Sequence, residues 1–374
     1  MAAAISNSLS QTQLKFSLVP PQKPLNLKFK HWDSNLGRGK FQSISAKCCL
    51  NLPLKLKSPV GRSLSSVLQN EPHCFYDAVS VELNRIAEDR DAAFARFDLS
   101  LGSSEASLHR VVRIAKLKEE ECQVAVEDVL YMIILYNFSE FKVPLAPSLS
   151  KCLYNGRLEI LPSKDWELES IHSLEVLEMV REHLSIVLGW KVGSSVTVNW
   201  STTKVRRHHL SQVYQASILY GYFLKSASLR YRLEQSLPPT HQQISFGSWS
   251  PPPEFQSCGF ENVFHGNMFN PRSRTLSQVS RRPRMKEANL RCYVTGFDVQ
   301  TMEECAKLKS EEAAELIEKH CLALFGNSNA ENNDMILTSL SSLKRLVLEA
   351  VAFGCFLWDA EQCVNSTYKL KDRY

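Results

Sequence analysis

The chain has 374 residues, 44% hydrophobic and 22% charged, a balance suited to a globular core. Its formal charge of +5 is unevenly spread: residues 1–70 hold ten Lys or Arg against one acid, Asp33, so the remainder is slightly acidic. No apolar run approaches the roughly 20 residues that span a bilayer, and the eleven cysteines include no Cys-x-x-Cys pair, so neither a zinc site nor a disulfide framework is indicated.

The chain opens Met-Ala-Ala-Ala, is rich in Ser, and has no continuous apolar core of the kind a secretory signal needs. This pattern predicts a transit peptide over residues 1–46, of chloroplast type because its positive charge is mostly Lys. Residues 47–70 are expected to be flexible. From Glu71, apolar residues Phe75, Val79, Leu83, Ile86 and Phe97 recur at helical spacing, and Val111, Ala115, Cys122, Val126, Val129 and Ile133 do so again. Two amphipathic helices follow from this, the second entering the core at its C-terminal half. Pro144 and Pro147 end it, and Asn155-Gly156 marks a turn before the short extended run Arg157 to Leu161. At most a minor hairpin is expected there, with one further strand-like alternation at Val196 to Trp200.

A helix is then predicted from Ser173 to Leu188, closed by Gly189, and another across Lys204 to Glu234. Residues 237–289 carry seven prolines and, from Arg272 to Lys286, six basic residues with no acid. They read as a disordered linker. Thr301-x-x-Glu304 predicts a capping box, and helices follow over Lys309 to Phe325 and Met335 to Asp359. Residues 362–374 are expected to fray.

The second half restates the first. At an offset of 133 positions Leu210, Ser217, Gly221, Phe223, Leu224 and Ala227 fall on Leu343, Ala350, Gly354, Phe356, Leu357 and Ala360; at an offset of 137, Glu175, Glu178, His183 and Gly189 fall on Glu312, Glu315, His320 and Gly326. The spacing predicts a duplicated helix pair. The fold class is therefore all-α: a bundle of that pair, twice, plus two N-terminal helices, with region 71–236 carrying repeat one and region 290–361 repeat two. The repeats are expected to pack through Ser217, Gly221 and Leu224 against Ala350, Gly354 and Leu357, where small residues let two helix axes approach.

No arrangement of residues makes a convincing catalytic or metal site. Glu175, Glu178 and His183, like Glu312, Glu315 and His320, resemble bundle metal ligands, but five residues turn about 140° around a helix, so Glu178 and His183 do not share a face. A solvated face explains them better. Arg206 and Arg207 sit at a helix start, where positive charge opposes the dipole and invites an anion. His183, His320, Arg206 and Arg207 are the polar candidates. Aromatic clusters at Tyr220, Tyr222 and Phe223 and at Phe353, Phe356 and Trp358 suit core packing; the rival reading is a pigment or flavin pocket between the repeats. The linker's basic stretch lacks interleaved aromatics, which argues against a nucleic-acid partner.

The blocks Asn155-Gly156-Arg157-Leu158-Glu159-Ile160, Ser217-Ile218-Leu219-Tyr220-Gly221-Tyr222-Phe223-Leu224 and Leu343-Lys344-Arg345-Leu346-Val347-Leu348-Glu349-Ala350 resemble a plant family described as UV-B-induced chloroplastic proteins. The resemblance runs from about Phe75 to Leu370. It implies a plastid address and a stress-responsive transcript, and carries no activity or catalytic residues with it. The expected function is thus a non-catalytic interaction or regulatory protein of the chloroplast stroma with a protein partner and no cofactor. A small-molecule binding protein or enzyme is the alternative.

Overall fold

The computed structural model describes residues 52–100, 105–189, 202–237, 289–326 and 335–373. The transit peptide (1–46), most of the linker (238–288) and the Val196 to Trp200 alternation lie outside the described residues. The first described elements are α1 (Pro59–Asn70), a 3₁₀ turn (Pro72–Cys74), α2 (Phe75–Ser100) and α3 (Glu105–Glu140). They are followed by α4 (Leu149–Cys152), β1 (Leu153–Tyr154), β2 (Arg157–Leu158), α5 (Asp165–Glu169) and α6 (Leu174–Leu188). The centre of the fold is β3 (Thr202–Arg206) running directly into α7 (Arg207–Ser236). After α8 (Leu290–Thr295), α9 (Val299–Ala306) and α10 (Glu311–Phe325), the same order recurs as β4 (Met335–Ser339) and α11 (Leu340–Asn365).

Helix dominates, as the periodicity requires, but the sheet is larger than a hairpin. Four strands lie in the order β1-β2-β4-β3. Asn155 and Gly156, both at positive φ, turn β1 into β2, the geometry a two-residue hairpin favours. β2 then pairs parallel with β4, and β4 antiparallel with β3 through five residue pairs centred on Lys204↔Leu337. Helices predicted to begin at Lys204 and Met335 therefore begin at Arg207 and Leu340. Val205 and Ile336 are buried, whereas Lys204, Arg206 and Met335 are exposed, so the residues before each helix alternate with a strand's period.

Three other expectations are corrected. Within residues 47–70, expected to be flexible, α1 buries Val60, Leu64 and Leu68, one helical face, against α2 and α3. Its N-cap Ser58 is fixed by Asp128 of α3, which accepts from the backbone N–H groups of Lys57 and Ser58. The C-terminal tail does not fray at Gln362: α11 continues to Asn365, and Tyr368 and Leu370 are buried beyond it. Asp298, rather than Thr301, caps α9 by accepting from the Thr301 N–H at 3.1 Å.

α7 and α11 cross at the centre, running in the same sense: Tyr214 meets Glu349, Ile218 meets Gly354, and Tyr222 meets Glu361. At the crossing the two backbones touch. A Cβ placed on Gly221 would lie 2.0 Å from the Val351 carbonyl oxygen, and one on Gly354 1.9 Å from that of Ile218. Ile218 and Val351 are themselves 133 positions apart, so the two contacts mirror each other. Ser217, Leu224, Ala350 and Leu357, all with no exposed surface, flank this point. Gly221→Ala forces backbone, not a flexible side chain, to move. It should cost at least about 1–3 kcal/mol and lower the melting temperature by several degrees. Gly296→Ala, whose Cβ would meet nothing closer than 3.4 Å, should be nearly neutral in the same thermal scan.

Candidate functional site

α11 is buried on almost every side, yet two of the three charged residues in its first half, Arg345 and Glu349, are fully buried. One turn apart, they form an ion pair of 2.9 Å. Arg345 also donates to the Pro144 carbonyl at 2.7 Å, and Glu349 accepts the Ala146 N–H at 3.0 Å. The loop after α3 is thereby fastened to the central helix. Tyr214 of α7 donates to Glu349 at 3.2 Å and stands 3.1 Å from His320 Nε2 of α10. Four segments converge on one buried polar chain. Burial raises the Glu349 carboxyl pKa, while Arg345, the Ala146 N–H and Tyr214 oppose that rise.

This chain is structural chemistry. Two charges removed from water are costly unless each finds close partners, and here the partners are a loop carbonyl, a loop N–H and a tyrosine. A second network works similarly: Glu361 accepts from the Ser310 N–H and hydroxyl and from Tyr222. The thiols of Cys321 and Cys355 are buried, with pKa values pushed up to about 12, which removes their nucleophilic form.

The polar candidates do not form one site. His183 lies under Tyr220 (ring centroids 4.3 Å apart) with Nε2 3.0 Å from the Ser217 hydroxyl; His320 lies against Phe353 at 4.5 Å. Tyr220 and Phe353 are again 133 positions apart. Both histidines are buried, not on a solvated face, and so is Glu312, which accepts the Lys371 N–H. Glu175 and Glu178 are exposed. Among the described residues no three His, Cys, Asp or Glu side chains gather as a metal site would need. Arg206 is exposed at the end of β3, and Arg207 reaches the Phe325 carbonyl at 3.5 Å, near the C-terminus of α10.

Of the aromatic clusters, Tyr222 and Phe353 are spent in the helix crossing. Tyr220 and Trp358 are half-buried, and Phe356 lines a cleft of about 520 Å³ beside the N-terminus of α6. Phe141, Ile171, Val176 and Leu290 give the cleft apolar walls, with Lys225 and Asp359, ion-paired at 2.8 Å, on its polar side. Sequence reasoning missed Arg345, Glu349 and Tyr214. The available signal was two opposite charges four apart bracketing the apolar run Leu346 to Leu348, which a surface ion pair imitates.

The profile of a family described as "Protein of unknown function (DUF760)" matches residues 108–237 and 289–366. A UV-B-induced chloroplastic protein of Arabidopsis thaliana is 34% identical over 337 residues, covering 84% of this chain and 77% of that protein. No solved structure matches the chain significantly.

Two outcomes follow from the buried groups. Arg345→Met leaves Glu349 without its cation and should cost about 3–5 kcal/mol in urea unfolding, more than Arg345→Met combined with Glu349→Gln. Burial also holds the pKa of His183 at about 4 and that of His320 at about 3. Both titrate near 6.5 when unfolded. Below that pH the unfolded chain takes up protons that the fold refuses, so stability falls as pH drops from 6.5 toward 4. Each histidine should remove roughly 1–2 kcal/mol between pH 7 and 5. Glu349 and Glu361, whose pKa values burial raises, act in the opposite direction at lower pH. Urea midpoints across this range should fall less steeply in His183→Gln.

Proposed function

Because the chain belongs to the DUF760 family of proteins of unknown function, we propose that it is a non-catalytic interaction protein of the chloroplast stroma, serving the response to UV-B. The plastid address rests on the chloroplastic relative and on the transit-peptide composition of residues 1–46. The matched strand-helix units and the mirrored glycine contacts support reading the two halves as a duplicated unit sharing one core, joined through residues 237–289.

One observation carries the interaction reading. The far ends of α2 and α3 form a two-helix arm: between Ile86 and Leu99, and from His109 to Cys122, every residue between is half-buried or exposed, with Arg90 and Glu119 near its base held to the Lys369 carbonyl and to Lys371 of the C-terminal tail. Ala93 and Phe97 of α2 and Val111 and Ala115 of α3 are half-buried. Phe94, Leu99, Ile114 and Leu117 remain between 49% and 86% exposed. Isolated exposed apolar residues are ordinary, but several on one two-helix element suggest a contact made elsewhere. Arg110, Arg113 and Lys116 give the α3 side of the arm a basic face suited to an acidic partner.

Phe94→Ser, Ile114→Ser and Leu117→Ser together should leave the melting temperature nearly unchanged, because no core is touched. In cross-linking from chloroplast extract the triple variant should lose the proteins that the parent chain captures. Recovery of the same proteins by both would refute the arm as the contact, and a coloured purified protein would favour the small-molecule alternative. A fluorescent fusion of residues 1–70 should enter plastids; retention in the cytosol would remove the address.

A further inference from the structure

α6 and α10 each run 15 residues, and their ends lie 137 positions apart. Each begins at a serine N-cap, Ser173 or Ser310, but what lies against each helix start differs. At α10 the C-terminal tail lies along the helix start in extended form. The Glu311 N–H donates to the Lys371 carbonyl at 3.0 Å, the Arg373 N–H to that of Lys309 at 3.2 Å, and the Lys371 N–H to the Glu312 carboxylate at 3.2 Å. Leu370 is buried as the tail's apolar anchor.

At α6 no described segment occupies the matching place, and the 520 Å³ cleft opens there instead. The correspondence is residue by residue. Ile171, His172, Ser173, Ser228 and Arg232 line the cleft, and their counterparts Leu308, Lys309, Ser310, Glu361 and Asn365 line the space that Leu370, Asp372 and Arg373 of the tail complete. Glu175, counterpart of the carboxylate that accepts the tail's N–H, is also on the cleft wall and exposed. Ser173 makes no side-chain cap bond, whereas Ser310 caps Ala313. Phe141, Ile171, Val176, Leu290 and Phe356 supply an apolar recess in the cleft.

We propose that this cleft is a peptide-binding site. It takes an extended segment of a partner protein with a leucine or aromatic anchor, docked along the start of α6 as the chain's own tail docks along α10. The anchor fills the apolar recess, Glu175 accepts a backbone N–H from the residue beside it, and the backbone at the helix start pairs with the peptide. Recognition by added backbone pairing, with a pocket for one side chain, is a recurrent mode of peptide binding. The site is separate from the α2–α3 arm, so either can fail without the other.

The test uses the full chain and a fluorescein-labelled peptide, Ser-Thr-Tyr-Lys-Leu-Lys-Asp-Arg, copied from Ser366 to Arg373. The chain's own tail is tethered, at an effective concentration near millimolar, so micromolar peptide does not displace it from α10 and reports on the cleft. Anisotropy should rise to saturation in the micromolar range. Replacing the peptide's leucine by serine should weaken binding at least tenfold, as should Glu175→Arg and, by filling the mouth, Arg232→Trp. Both positions are exposed, so the melting temperature serves as a check that the fold is kept. No saturable binding, or binding that neither substitution weakens, overturns the proposal. Binding that appears only after proteolytic cutting between residues 238 and 288 assigns the cleft to this chain's own segment, and a dimer that the peptide dissociates assigns it to a second copy; either result overturns a partner peptide. Loss of peptide binding with retained arm-dependent cross-links refutes the cleft alone.

Discussion

The approach of α7 to α11 sets the geometry of everything around it. Two backbones in van der Waals contact require glycine on both sides, Gly221 and Gly354, and small residues four positions before each, Ser217 and Ala350. Once the axes are that close, no room remains for side chains between them, and the residues that flank the contact are committed to the core. Cys355 illustrates the constraint: its thiol sits 3.2 Å from the Gly221 carbonyl, inside the crossing. The β3–β4 pairing fixes the same two elements at their N-termini, so the crossing is held at one end by hydrogen bonds and at its middle by packing.

The buried polar chain performs a different task. Apolar contacts between α3, α7, α10 and α11 are compatible with many small slides and rotations. Arg345 and Glu349 are not, because a displaced loop would leave a buried charge unpaired. Holding Pro144 and Ala146 to α11 dictates where α3 leaves the core and hence where β1 and β2 can join β4. The buried charges hold the loop after α3 in one place against α11.

Much of this was legible in the sequence, for reasons that can be named. Gly221 and Gly354 stood out because glycine is costly within a helix and both lay on an apolar stripe. Gly189 and Gly326 marked the true ends of α6 and α10, and Asn155-Gly156 its hairpin turn. The strands Thr202–Arg206 and Met335–Ser339 were hidden because each passes into its helix with no turn residue between, leaving only five residues of alternation. α1 was obscured by composition: Val60, Leu64 and Leu68 have helical spacing, but Lys and Ser around them match the basic leader. Arg345 and Glu349 look like a surface pair until Pro144 and Ala146, some 200 residues earlier, are brought beside them.

The distance in sequence between α7 and α11 has a temporal meaning. A ribosome adding about 5–20 residues per second needs on the order of ten seconds to pass from one glycine to the other. Through that interval the buried face of α7, from Leu210 to Tyr231, exists without the surface that covers it. Long-range pairings of this kind also slow folding once the chain is complete. The nascent protein therefore exposes this face early and covers it only once α11 has been made.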